Sequence, residues 1–304
     1  MELLLEAADA GRRAELAERL RAAGAQFEDD RIARSVEPGF AARYLLFEAD
    51  VPRIVLGWML EEDDPDTNSV LYHHERTPTG VRCDIRRGLP FRPGREPDAV
   101  VPFLTRRLSR VSHGAGAAVA EYRSFLPGEV VADYSERADQ RGLVEQLRLK
   151  GAARKLRSCR EAADAIGKED WGLIAEADRE QPLPGYARWA LCLHPVCPEE
   201  LRGQLGGHDA RFAKRLRRSG VYRDPAELVG VHTPARSALR ILDTGRHVFP
   251  GRLGQTRELL AELAGGGLGG NFEAWAVLAQ LLPTFSGTLA ELIATSGAIA
   301  GGGT

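Results

Sequence analysis

The apolar positions of this chain recur mostly at helical spacing, and proline, glycine and capping residues close the runs. Asp209 precedes a segment with Phe212, Ala213 and Leu216 on one face, and Gly220 stands just past it. That pattern predicts a helix capped by an aspartate and stopped by a glycine. Pro184 suits a first helical turn, with Tyr186, Trp189 and Leu193 at i, i+3 and i+7 until Pro195 ends the run. Pro198 then opens the helix PEELRGQL, closed by Gly206. Leu3 to Ala23 reads as two short helices broken near Gly11, and Pro52 begins a helix through Trp58 to Glu61.

Two stretches carry competing signals. In SVLYHHERTPTGVRCDIRRG, Val81, Cys83 and Ile85 alternate with charged residues, as the edge strand of a hairpin turning at TPTG would. Thr77-Pro78 is also a helix start, with Val81 and Ile85 at i, i+4 and Gly88 as the stop, and the helix is preferred. AGGGLGGNFEAW contains G-x-G-x-x-G at Gly265, Gly267 and Gly270. A dinucleotide turn follows a strand, whereas Leu259, Leu260 and Leu263 precede this one at helical spacing. Gly265 is therefore expected to stop a helix and Asn271 to cap the next, whose apolar face is Phe272, Trp275, Ala279 and Leu282. Thr288 and Glu291 form a capping box, and no cofactor is assigned.

GLPFRPGREPD must be an irregular connection, and a second break falls at SFLPGEVVADYSE, where Asp133 and Glu136 can start a long helix. The expected organisation is a helical domain over residues 1–132, a helical-repeat-like domain over 133–300 and a loose tail at 301–304. The expected fold class is all-α, an irregular, α-solenoid-like stack of helical hairpins, with a possible short β-hairpin near 69–86.

The segment YARWALCLHPVCPEELRGQL resembles the leucine-rich-repeat-variant and HEAT-like helical repeats, and VLGWMLEEDDPDTNSVLYHHERTPTGVRCDIRRG looks like a more divergent relative of the same unit. Together they cover under a fifth of the chain. The resemblance implies a right-handed stack of helices with a concave surface for partners, and it brings no catalytic residues. Trp58, Trp189 and Trp275 each lead to a proline, at Pro65, Pro195 and Pro283, but at uneven intervals, which points away from a regular solenoid.

Composition narrows the class. With 304 residues, 43% hydrophobic and 7% aromatic, the chain can bury a substantial core. Only Lys150, Lys155, Lys168 and Lys214 are lysines among 41 basic residues, the bias of a GC-rich, bacterial-like coding sequence, so arginine is the default cation. The net charge of -2 argues against a surface basic throughout but not against a local patch. The opening MELLLEAADAGRR lacks a signal core, and the longest uncharged segment, Ala274 to Ala290, is broken by Pro283 and Gly287. With four cysteines spread over the chain, a cytoplasmic protein without a membrane partner is expected.

Two segments are locally basic, residues 141–160 and 211–223. Packed side by side, they would line a groove for a phosphate backbone through Arg148, Arg154, Lys155, Arg157, Arg211, Lys214, Arg215, Arg217 and Arg218. The aromatic interleaving of single-strand binders is not read in either.

Other motifs are weaker. AELVGVHTPARSALRIL matches a helix-turn-helix at Ala226, Gly230 and Val231, which would turn His232, Thr233, Arg236 and Arg240 to DNA, yet Arg236 falls where that motif buries an apolar residue. Cys192, His194, Cys197 and His208 lack the paired spacing of a structural zinc site, so no metal is assigned. In EEDDPD, Glu62, Asp63 and Asp66 mimic the acidic box of terpene synthases without its second metal motif. No catalytic set is read. The leading reading is a non-catalytic scaffold that binds a protein partner through a concave helical surface, and the alternative is a nucleic-acid-binding helical repeat, a regulator or HEAT-like repair enzyme.

Overall fold

A computed structural model describes residues 1–6, 13–22, 39–48, 51–92 and 140–302. Every regular element among them is helical. No helix among them is long and apolar enough to cross a membrane. The chain forms two compact units, one of residues 52–221 and one of residues 1–51 with 222–304. The boundary expected at 132/133 lies outside the described residues, as do Gly11, Asp133 and Glu136.

The continuous unit opens on α1 (Arg53–Glu62), which Pro52 precedes. Ile54 through Leu60 are all buried, so this helix is apolar on every side and its neighbours surround it. A side chain at Gly57 would overlap the carbonyl oxygen of Pro195, so glycine is needed where the helix meets that turn. Helix α2 (Pro65–His73) is capped by Asp64, whose carboxylate accepts from the Thr67 N–H at 2.7 Å. Helix α3 (Thr79–Arg87) ends at Gly88 in the left-handed region, φ 69°. The possible hairpin near 69–86 is thus two helices, because Val81 and Ile85 bury one helical face while Arg82 and Cys83 stay partly exposed.

Helices α4 (Gln140–Ala152), α5 (Leu156–Asp164), α6 (Trp171–Glu180), α7 (Gly185–Cys192), the single turn α8 (Glu199–Arg202) and α9 (Ala210–Arg218) complete this unit. Their core includes Leu147, Ile166, Trp171, Ile174, Leu191, Leu201 and Leu216. On α7 the buried face matches the expected one only in part, since Leu193, just past its end, is buried as expected. Ala187, Ala190 and Leu191 are buried, while Tyr186 is 42% exposed and Trp189 half-buried. Pro184 and Ala187 abut Gly151 of α4, so small side chains permit an approach that the large aromatics would block.

In the other unit, α10 (Glu2–Glu6), α11 (Arg13–Ala22) and α12 (Phe40–Glu48) join α13 (Pro225–Val231), α14 (Ala235–Val248), α15 (Gly254–Gly267), α16 (Phe272–Leu281) and α17 (Leu289–Gly301). Helix α14 is the core element, with Ala238, Leu239, Ile241, Leu242 and Val248 buried. Its Asp243 accepts from the Leu3 N–H at 2.8 Å and pairs with the Met1 amino group. Arg246, one turn from it, pairs with Glu2 at 2.8 Å and Glu6 at 2.7 Å.

Helix α15 does not stop at Gly265. It runs to Gly267, and the left-handed residue is Gly269, φ 50°. Its last residue sits at a close helix crossing, for a side chain at Gly297 of α17 would overlap the carbonyl of Gly267. Asn271 does cap α16, accepting from the Glu273 N–H at 2.9 Å, and both bonds of the Thr288–Glu291 capping box form, at 2.8 and 3.2 Å. Of the expected tail, Gly301 belongs to α17, Gly302 follows it as a turn, and residues 303–304 lie outside the described ones.

Candidate functional site

Helix α9 is built for exposure. Asp209 caps it, accepting from the Phe212 N–H at 2.8 Å, and Gly220 at φ 77° ends the segment. No acid occurs between the cap and Ser219. Leu216 is buried and Phe212 and Ala213 are half-buried, which turns Arg211, Lys214, Arg215 and Arg218 outward. These four fall at i, i+3, i+4 and i+7, one stripe of an α-helix, and Arg217 lies beside it. All five are exposed, and none pairs with a carboxylate among the described residues. Arg215, Arg217 and Arg218 occupy the last turn, where positive charge also suits the helix dipole.

The stripe has an aromatic flank that the linear sequence does not display. Trp189 of α7 meets Phe212 edge-on, with centroids 5.4 Å apart at 83°. The Arg215 guanidinium lies over the Trp189 ring, 5.1 Å from its centroid. The missing signal was tertiary, since Trp189 is 23 positions before Phe212.

The first basic segment is used differently. Arg148 donates to Gln181 Oε1 at 2.8 Å and to the Ala177 carbonyl at 3.0 Å, closing the C-terminus of α6. Arg157 pairs with Glu161 at 3.1 Å. Arg154, in the left-handed region at φ 55°, and Lys155 stand exposed in the turn between α4 and α5. The two basic segments do not form an extended side-by-side pair. Helix α7 touches both, meeting Gly151 through Pro184 and Phe212 through Trp189.

The other motifs resolve into structural roles. Burial pushes the Cys192 and Cys197 thiols up to about 12, so both stay protonated in the packed core. His194 is fully buried, edge-on to Trp171 at 5.1 Å, and its pKa is held well below the ordinary value by burial and then by Arg53 and Arg202. Asp63 of the acidic box sits at φ 53° and accepts from Asn68 Nδ2 at 3.0 Å and the Phe91 N–H at 3.2 Å, tying down its own turn. The helix-turn-helix segment forms α13 and α14, and past its first turn α14 is largely buried within its unit. His232 there bridges Tyr222 Oη and Ser237 Oγ, each at 3.0 Å, while Arg236 points outward.

Compared with known protein families, with curated proteins and with solved structures, the chain matches none.

Proposed function

We propose that the chain is a non-catalytic binding protein whose α9 stripe holds a nucleic-acid backbone. The supporting observation is the set of unpaired, exposed cations on one acid-free helix. An acid-free helical face is costly to keep by self-repulsion, and a polyanion relieves it. Nine residues of helix span about 13 Å, the axial length over which one strand presents about four phosphates. Neutralising four would make the logarithm of affinity fall with that of salt at a slope of about -4 on duplex.

The test is purification at low and at high salt, followed by the ratio of nucleic-acid to protein absorbance. Co-purifying nucleic acid that leaves steeply with salt is expected, and replacing Arg215 and Arg218 together with Glu should abolish its retention. Unchanged retention in that variant would sink the assignment to α9. The protein-scaffold reading rests on the resemblance of residues 186–205 to helical repeats, and protein that is clean at low salt would favour it.

A further inference from the structure

We infer that this surface takes a single-stranded nucleic acid, with one base stacked on the Arg215 guanidinium over Trp189. The inference rests on the nucleic-acid reading above and adds what the phosphates alone leave open.

The contact between Arg215 and Trp189 is already made in the free protein. Phe212 packs edge-on against Trp189, and the guanidinium of the exposed Arg215 lies over that ring, 5.1 Å from its centroid. The Arg215 guanidinium makes no ion pair or hydrogen bond among the described residues, so its N–H donors and its side away from Trp189 remain available. Unpaired bases stack readily on aromatic rings and on guanidinium planes. In a duplex the base faces are stacked on one another, so such a platform has nothing to receive. Arg211, Lys214 and Arg218 lie on the same stripe as Arg215, within one or two helical turns of it, where they can reach the phosphates on either side of a stacked base. Lys214 and Arg218 flank it at i−1 and i+3.

Trp189 also supplies the readout. The other three tryptophans, Trp58, Trp171 and Trp275, are buried, and Trp189 alone is half-exposed.

The experiment uses the full chain and four labelled probes: a thymidine oligomer, an abasic strand of the same length, a blunt hairpin duplex and polyglutamate. Anisotropy should show the thymidine strand binding about fivefold or more tighter than the abasic strand, the gain of one stacked base. Tryptophan emission should be quenched by the thymidine strand and not by the abasic one. Arg215→Lys keeps the charge and loses the plane, so it should bring the thymidine and abasic affinities to within about twofold of each other. Equal affinity for thymidine and abasic strands, or tighter binding of the duplex, overturns the stacking inference while phosphate binding stands. Polyglutamate binding as tightly as thymidine would overturn it in favour of an acidic protein partner. No binding of any nucleic-acid probe at low salt would overturn both this inference and the reading beneath it.

Discussion

His194 gives a sharp test of the packing in the continuous unit. It is 1% exposed, neither ring nitrogen has a hydrogen-bond partner among the described residues, and Arg53 and Arg202 disfavour a positive charge there. In the folded chain the ring is held neutral well below its ordinary value of 6.5. In the unfolded chain it takes a proton as pH falls through 6.5. The unfolded state therefore binds more protons below that point, and stability, fully present above 6.5, declines as the solution is acidified. The slope is about 1.4 kcal/mol per pH unit while the folded ring stays neutral. For a unit of this size that corresponds to roughly 3–6 °C in melting temperature per unit. The assay is thermal unfolding of the full chain, followed by tryptophan fluorescence, between pH 7.5 and 5.5, where carboxylates contribute little. His73, lowered to about 4 by burial and then by Arg82, adds a slope of the same sign, so the comparison is with His194→Leu. That variant removes two buried, unpaired nitrogens, so it should be at least as stable as the parent at pH 7.5 and should lose about 1.4 kcal/mol per unit of the acid slope. Identical slopes in parent and variant would refute the argument that His194 is buried and neutral.

Further outcomes follow from the same contacts. Gly297→Ala should lower stability by about 1–3 kcal/mol through overlap with the Gly267 carbonyl, whereas Gly266→Ala, with open space around it, should raise stability by about 0.5–1 kcal/mol, both read by thermal melts. Asp178 is buried and accepts from the Leu183 N–H, Arg188 and Gln204. Asp178→Ala should therefore cost about 3 kcal/mol in denaturant unfolding. Thr288→Ala removes one half of the capping box and should cost about 1 kcal/mol in the same assay. In binding titrations Arg211→Ala should reduce the salt slope by about 1, and Arg217→Ala, off the stripe, should reduce it by less.

The caps at Asp209, Asn271 and Thr288, the stop at Gly88 and the all-helical class were legible in the chain, because capping and helical periodicity act over a few neighbouring residues. The cationic run of α9 was equally legible, since it needs only one helix to become a stripe. What lay beyond reach depended on which surfaces meet. Gly265 looked like a stop because nothing local reveals that Gly267 must pass the backbone of α17. The buried face of α7 looked aromatic because nothing local reveals that Gly151 demands small partners. Arg148 and Arg157 looked equivalent to Arg215, yet tertiary neighbours gave the first two acceptors and placed the third over Trp189. Helical periodicity is a property of one segment, whereas the partner a side chain finds is a property of the packing, and only the folded chain decides it.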